Sequence, residues 1–118
     1  REWDLLLSPN PGYIYHVEPE TFDLDAVGDE IRDASLEAEG FIHCSFRYQI
    51  EGVLRRHYPE ARRVVLLEID PQKLPESTEL RIEDSYDLGE AYPHVYGAVP
   101  RLAIERAIPV PADEPALY

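Results

Sequence analysis

Three of the four histidines in this 118-residue chain stand in segments with the composition of β-strands. Each has an aromatic residue close by, in the pairs Tyr15–His16, Phe41–His43 and His94–Tyr96. An imidazole titrates near neutral pH, so it can transfer a proton, bind a metal ion or make a structural hydrogen bond. A polar side chain in a strand must either face a cleft or find partners inside the protein. We therefore expect the three histidines to share one cleft.

A metal centre is an alternative use of these histidines, because three His ligands suit zinc or iron. No two of them have the i, i+2 or i, i+4 spacing that places two ligands side by side. His43 and Cys44 are neighbours in a strand and therefore point to opposite faces. The sequence also lacks zinc, P-loop and dinucleotide-binding motifs. We expect no metal. If the protein does bind one, His16, His43 and His94 are the expected ligands.

Basic residues are concentrated in one stretch, residues 47–63, which contains Arg47, Arg55, Arg56, Arg62 and Arg63 against two acidic residues. This stretch has a charge of +3 and leaves −16 on the rest of the chain, whose total is −13. Arginine suits phosphate and carboxylate because its planar guanidinium donates two parallel hydrogen bonds. The stretch is either a solvated helix face or a phosphate site. In a phosphate site, Arg47 would bind the phosphate near the helix N-terminus, one turn from His43.

Strand signals dominate the elements that must position these residues. Aromatic, β-branched or alternating apolar residues predict strands at residues 13–17, 40–45, 64–69, 80–82, 94–99 and 102–110. Residues 64–69 form a continuous apolar run, which predicts a central strand covered on both faces. Residues 84–90 are polar and predict a loop.

Helical signals are fewer. The spacing of apolar residues over 22–31 weakly favours a helix. Ser35 is expected to cap a short helix at 36–39, which Gly40 ends in the left-handed conformation. Ser45 is expected to be the N-cap of the main helix, which runs to about Tyr58. The pattern predicts an α+β fold that is rich in strands, with split mixed or antiparallel sheets and one main helix.

Length and charge limit the organisation and the partners. A chain of 118 residues suits a single domain over 1–118, with a core at about 13–110 and a loosely held, proline-containing tail at 111–118. The net charge of −13 opposes binding to long nucleic acids or anionic membranes. No apolar run approaches the roughly 20 residues of a membrane span. The single Cys44 forms no intramolecular disulfide, which favours the reducing cytoplasm.

Four segments together resemble the domain-of-unknown-function 952 family of small proteins. In chain order they are Tyr15-His16, Ser35-Leu36 followed by Glu39-Gly40-Phe41-Ile42-His43-Cys44-Ser45, Val65-Leu66-Leu67-Glu68-Ile69-Asp70, and Tyr92-Pro93-His94-Val95-Tyr96-Gly97. The resemblance covers about residues 13–110. It implies a fold but no established activity.

That family is in turn similar to the ADP-ribosyltransferase fold, and to RNA 2′-phosphotransferases in particular. In such folds two split sheets form a cleft for NAD or an ADP-ribosylated intermediate. The resemblance implies that His16, beside Tyr15, bonds a ribose hydroxyl and that His43 lies beside the nicotinamide site. Ser45 becomes a small polar residue at the cleft edge.

One departure from the ADP-ribosyltransferase pattern concerns an acidic residue. Many of these enzymes place a Glu on a late strand, where it stabilises positive charge in the transition state. The corresponding segment here, residues 93–97, has none, and Glu90 is the nearest substitute. RNA 2′-phosphotransferases also lack this Glu, so the departure disfavours protein ADP-ribosylation and leaves dinucleotide or phosphate chemistry open.

These observations define the expected site. His43, His94 and Tyr96 are the candidate catalytic residues, with His94 as the general acid or base and Tyr96 orienting it or stacking on the ligand. Tyr15, His16, Ser45 and Arg47 are the candidate binding residues for NAD or another small nucleotide or phosphate ligand. The alternative is a catalytically silent nucleotide-binding module. The sequence leaves open whether the domain is an enzyme and which oligomeric state it adopts.

Overall fold

The fold is built from short antiparallel sheets, in a computed structural model that describes residues 5–85 and 87–113. The strands are β1 (Ile14–Pro19), β2 (Glu30–Ile31), β3 (Ile42–His43), β4 (Arg63–Ile69), β5 (Glu79–Glu83), β6 (Tyr92–Tyr96), β7 (Val99–Pro100) and β8 (Ile104–Pro111). The helices are α1 (Ala34–Glu39) and the main helix α2 (Ile50–His57). The sequence-based expectation of a strand-rich α+β fold with one main helix is confirmed.

The first sheet has the order β1-β4-β8, and its central strand is buried on both faces. Val65, Leu67 and Ile69 pack into one hydrophobic cluster. Val64 and Leu66 point the other way, into a second cluster that includes apolar residues of α2. The prediction for residues 64–69 is therefore confirmed, because a strand with apolar side chains on both faces needs cover on both sides.

The second sheet has the order β3-β6-β5 and joins the first at a single bridge. There the Tyr15 N–H donates to the Ser45 carbonyl over 2.8 Å, and the Ser45 N–H donates to the Tyr15 carbonyl over 2.7 Å. Ile42 and Val95, paired across β3 and β6, are fully buried in the same cluster as one face of β4. The two sheets therefore share a core on one side and separate beyond the bridge.

Two expectations about helix starts are wrong. Ser45 is not the N-cap of the main helix, because its backbone is committed to the bridge with Tyr15. The chain instead enters α2 through a 3-10 turn at Arg47–Gln49. At α1 the cap is Asp33, whose carboxylate accepts the Ser35 N–H over 3.0 Å. Gly40 ends α1 with φ of 90°, the left-handed conformation expected of it.

Helical spacing over residues 22–31 was a misleading signal. Only Leu24–Ala26 form a 3-10 turn, which Asp23 caps by accepting the Asp25 N–H. The chain then becomes extended, and Ile31 reaches the core from β2, paired with Val99 of β7. The apolar residues of this segment, despite their roughly helical spacing, pack against the core one by one from an irregular chain.

The last strand contains a β-bulge that explains its imperfect alternation. The pairing with β4 shifts between Glu68 and Ile69, so that Arg106 lies opposite Glu68 while Ile104 lies opposite Ile69. Ile104 consequently joins one core cluster and Ile108 the other. Leu102, expected in this strand, is exposed in a 3-10 turn before it.

Two segments near the end of the chain also differ from the expected boundaries. The predicted strand at 94–99 is two strands, β6 and β7, divided at Gly97, whose φ of 151° excludes most other residues. Pro111, assigned to the tail from the sequence, is the last residue of β8, and the Ala112 N–H donates to the Arg62 carbonyl over 2.8 Å. Residues 114–118 of the expected tail lie outside the described residues.

Candidate functional site

A cavity of about 450 Å³ opens where the two sheets separate. β1, β3, β6 and α2 all contribute to its wall. His16, His43 and His94 border it together, although 27 and 51 residues separate them along the chain. The bridge between Tyr15 and Ser45 fixes β1 beside β3, which is why histidines of different sheets meet here.

His16 lies in the wedge between β1 and β3 and is almost completely buried. Its Nδ1 lies 2.7 Å from the His43 carbonyl oxygen, and its Nε2 lies 2.9 Å from Glu18 Oε1 and 3.7 Å from Asp33 Oδ1. Both ring nitrogens thus face oxygens that only accept hydrogen bonds, so each carries a proton and the ring is positively charged. Burial alone lowers the pKa of His16, but the partners around it, Asp33 first, raise it well above the usual value.

Asp33 is the ionised partner of this histidine. The charged His16 ring, whose Nε2 lies 3.7 Å from Oδ1, holds the pKa of the Asp33 carboxyl well below its usual range, and the Ser35 side chain and N–H add to this effect. Asp33 also borders the cavity. A charged pair, His16 and Asp33, therefore occupies the β1 side of the cavity wall.

His94 is buried on β6 with one ring nitrogen fixed by an acidic residue. Nδ1 lies 3.0 Å from Glu83 Oε1 and 3.3 Å from the Ser85 hydroxyl. The Tyr96 hydroxyl also donates to Glu83, and the hydrogen bonds from Tyr96 and His94 lower the pKa of that carboxyl. Phe41 stacks on the His94 ring at 4.1 Å between centroids. Glu83 thus orients the ring with Nδ1 as donor and leaves Nε2 for proton transfer.

His43 forms a second histidine–carboxylate pair next to the first. Its Nε2 bonds the Glu39 carboxylate, which stands at the end of α1 and reaches His43 across the turn at Gly40. His43 lies directly opposite His94 in the pairing of β3 with β6, and their ring centroids are 5.4 Å apart. Two imidazoles, each with a carboxylate, therefore lie side by side at the cavity.

The fold agrees with the comparisons with known proteins. The sequence profile of DUF952, a family of proteins of unknown function, matches residues 17–107. The chain belongs to the DUF952 family. Two crystal structures of protein CC0527 from Caulobacter crescentus, one of them a double mutant, have a similar fold, with a TM-score of 0.67 for each. They are 24% and 25% identical to this chain, over 82% of it and 84% of theirs. Comparison with curated proteins gave no match.

Four other residues of this DUF952 protein were expected at the site, and their positions differ. Ser45 is buried and borders the cavity. Tyr15 also borders it, but its hydroxyl donates to Glu68 over 2.8 Å. Tyr96 contacts the site through Glu83 and does not line the cavity. Arg47 lies outside the cavity wall, where its guanidinium donates to the Ser8 carbonyl over 2.8 Å.

Arg56, from the same basic stretch, lines the cavity where Arg47 does not. Its guanidinium donates to the Tyr92 hydroxyl and lies 5.9 Å from the centre of that ring. Arg56 is in the last turn of α2, which faces the site. The basic stretch therefore places an arginine at the cavity, from the last turn of α2 and not from the 3-10 turn before it.

The acidic partners of the histidines were not identified from the sequence. Glu39 stands four residues before His43, so the spacing in the sequence could have indicated this pair. Glu83 reaches His94 only because β5 pairs with β6, which no local pattern reveals. Glu90, the expected substitute for a late-strand Glu, instead accepts a hydrogen bond from the Gln49 amide over 2.8 Å.

The histidines do not form the three-His metal site of the alternative hypothesis. Within residues 5–85 and 87–113, the only group of three or more potential metal ligands whose atoms all lie within 4.8 Å of one another consists of His16, Glu18 and Asp33. His43 and His94 are instead each held by a carboxylate of their own.

No helix of the described chain is long and apolar enough to cross a membrane.

Proposed function

We propose that the cavity binds a small phosphorylated nucleotide, NAD or a related ligand, and that His43 and His94 transfer protons in a reaction on it. The observation that carries the proposal is the placement of two histidine–carboxylate pairs at one cavity, with 5.4 Å between the imidazole centroids. A transfer reaction uses a base for the attacking group and, where the leaving group departs as an anion, an acid for that group. Two adjacent imidazoles can supply both near neutral pH.

The size and the charges of the cavity support a nucleotide-sized ligand. About 450 Å³ is within the usual range for small-molecule and cofactor sites. Arg56 provides a planar cation for a phosphate, and the Tyr92 ring beside it offers a face for a base or a nicotinamide. The net charge of −13 opposes a long polyanion, so the ligand is small or a short RNA end.

The two carboxylates have a chemical role in this proposal. Glu83 fixes His94 with Nδ1 as the donor and stabilises the imidazolium form when Nε2 takes up a proton. Glu39 bonds the other ring nitrogen, Nε2, of His43 from the end of α1 and stabilises the imidazolium form of that ring. Tyr96, which donates to Glu83, orients the carboxylate and acts on the reaction only through it.

The resemblance to ADP-ribosyltransferases adds support from the fold. Two sheets that share one bridge and then separate leave a cleft of the kind that holds NAD in those enzymes. Glu83, on the strand beside His94, supplies the negative charge that segment 93–97 lacks. His16 has both ring nitrogens on protein oxygens, so in this proposal it holds the junction of the sheets and positions Asp33.

Calorimetric titration with NAD, ADP-ribose and a 2′-phosphorylated dinucleotide tests the binding. We expect saturable binding of at least one of these ligands, weakened about tenfold by Arg56→Gln because one charged contact to phosphate contributes roughly 1.5 kcal/mol or more. Arg55→Gln is the matched control, since Arg55 is the adjacent residue and pairs with Glu51 on the exposed side of α2. Absence of binding, or equal loss in both variants, contradicts the proposal.

Catalysis is tested separately from binding. The protein is incubated with NAD alone and with NAD together with 2′-phosphorylated RNA, and the release of nicotinamide and the loss of the 2′-phosphate from the RNA are measured. Turnover that His94→Gln abolishes supports proton transfer by this residue. Binding with no turnover of either substrate leaves a catalytically silent nucleotide-binding module and contradicts the acid–base part of the proposal.

A further inference from the structure

We propose that His16, Glu18 and Asp33 form a binding site for a divalent transition-metal ion in the wall of the cavity. The three side chains converge from two segments. His16 and Glu18 stand two residues apart on β1 and so point to the same side, and Asp33 precedes α1. The site is separate from the two histidine–carboxylate pairs and does not depend on the proposed nucleotide ligand.

The distances suit one ion. His16 Nε2 lies 2.9 Å from Glu18 Oε1 and 3.7 Å from Asp33 Oδ1, and the three ligand atoms lie within 4.8 Å of one another. An ion with bonds of about 2.1 Å holds its ligand atoms roughly 3 to 4 Å apart, so small side-chain rotations bring the three ligand atoms to one ion.

The other nitrogen of His16 is held as it is in metal-binding histidines. Nδ1 donates to the His43 carbonyl over 2.7 Å, which fixes the ring orientation and directs Nε2 at the two carboxylates. Histidine ligands of metals usually have such a partner on the nitrogen that does not bind the ion. The contact is to the backbone of a strand, so it is rigid.

The charge of the cluster also favours a divalent ion. The side chains of His16, Glu18 and Asp33 are only 7%, 14% and 31% exposed. Two carboxylates with a neutral imidazole carry −2, and a proton on Nε2 compensates half of it. A divalent cation in place of that proton compensates all of it, and burying uncompensated charge is costly.

The donor set indicates the class of ion. One imidazole and two carboxylates suit Zn²⁺, Mn²⁺, Fe²⁺ or Co²⁺, and among these a nitrogen–oxygen site favours Zn²⁺ over Mn²⁺. Three protein ligands leave at least one coordination position. His16 and Asp33 border the cavity, so that position is available to water or to an oxygen of a cavity ligand.

Metal titration of the full chain tests the site without any nucleotide. After treatment with a chelator and dialysis, the protein is titrated with Zn²⁺ by calorimetry and with Co²⁺ by visible absorption. We expect one ion per chain, and a loss of affinity of about tenfold or more in Glu18→Gln and in Asp33→Asn. Asn also caps helices well, so Asp33→Asn preserves the start of α1.

Glu20→Gln is the control. Glu20 is exposed, and this substitution removes an equal charge two residues from Glu18. Wild-type affinity in this variant, with loss in the other two, supports the site. Absence of Zn²⁺ and Co²⁺ binding to the wild type, or binding that neither Glu18→Gln nor Asp33→Asn weakens, overturns it. Metal binding without nucleotide binding, or the reverse, separates this inference from the proposed function.

Discussion

Tyr15 and His16 are neighbours in β1, yet their side chains enter two different polar networks. The Tyr15 hydroxyl joins a network around Glu68 in the first sheet. His16 joins the carboxylates of Glu18 and Asp33 at the cavity. Both networks begin from buried side chains of the same strand, but only the second one has a carboxylate, that of Asp33, at the cavity.

The Glu68 network is complete within the protein. One oxygen of Glu68 accepts from Arg106 Nε over 2.9 Å, and the other accepts from the Ser8 N–H, the Tyr15 hydroxyl and Arg106 Nη2 over 2.8 to 3.0 Å. Glu68 is only 1% exposed. A buried carboxylate with four hydrogen bonds, two of them from a bidentate arginine, is satisfied within the protein, so this network stabilises the fold.

The groups at the cavity are organised differently. His94 is as deeply buried as Glu68, but the contacts of its ring nitrogens within the described chain are made by Nδ1, to Glu83 and Ser85. Arg56, at the same cavity, is an exposed cation on the last turn of α2. Here the protein positions polar groups and leaves part of their bonding capacity to something that enters the cavity.

Removing the Glu68 carboxylate has the largest expected effect on stability. Glu68→Ala leaves the buried Tyr15 hydroxyl and the Ser8 N–H without their acceptor, and it deprives Arg106 of its partner. We expect a loss of about 3 kcal/mol in the free energy of unfolding, measured by urea denaturation. Glu20→Ala, at an exposed position, is the control. A loss below about 1 kcal/mol refutes the structural role of this network.

Glu83→Gln reverses the pattern. Without a carboxylate on Nδ1, His94 loses its fixed orientation and the stabilisation of its imidazolium form. We expect the rate of any catalysed transfer to fall about 100-fold, while the urea midpoint stays close to that of the wild type. Glu79→Gln on the same strand is the matched control, because Glu79 pairs with Arg81. Unchanged turnover in Glu83→Gln speaks against the acid–base role.

Acid should weaken the Glu68 network. Burial raises the pKa of Glu68, but the hydrogen bonds from Arg106, Ser8 and Tyr15 outweigh burial and leave the pKa below its usual value. A lowered pKa in the folded state means that the stabilisation is complete above the ordinary Glu pKa of about 4.3 and is lost as the pH falls through the folded-state value. Unfolding free energies measured from about pH 6 to pH 3 should therefore fall more steeply in the wild type than in Glu68→Gln. Parallel curves are the contrary result.

The turn between α1 and β3 gives the smallest effect. Gly40→Ala places a side chain at φ of 90°, where an added Cβ meets no atom within 4 Å, so the cost is conformational. We expect a loss of about 1 kcal/mol in the free energy of unfolding. Gly28→Ala also meets no atom but has no positive φ, and it should not show this loss. Equal effects of both substitutions argue against strain at the turn that connects Glu39 to His43.

The parts of the fold that local pattern determines were predictable. The apolar run at 64–69 required cover on both faces, and the Gly40 position after a short polar helix indicated a left-handed end. The Ser45 cap was wrong because a tertiary contact, the bridge to Tyr15, uses the backbone that an N-cap needs. The preference of serine for a helix N-cap is overridden here, because the N–H and the carbonyl of Tyr15 both pair with the backbone of Ser45.

The candidate site was predictable only in its histidines. Residue type and strand context indicated His16, His43 and His94, because a polar side chain in a strand needs a reason to be there. Glu83 becomes a partner of His94 through the register of β5 on β6, and Glu18 and Asp33 meet at His16 from separate segments. Such pairings depend on sheet topology, which a single sequence does not specify.

The central claim is that the cavity with His43 and His94 takes a small nucleotide ligand while the Glu68 network does not participate. NMR titration of the imidazole signals with ADP-ribose tests this most directly. The account predicts saturable shifts at His43 and His94, with the backbone amide of Ser8, which donates to Glu68, left unchanged. Imidazole signals that stay constant with ADP-ribose, NAD and a 2′-phosphorylated dinucleotide would contradict it.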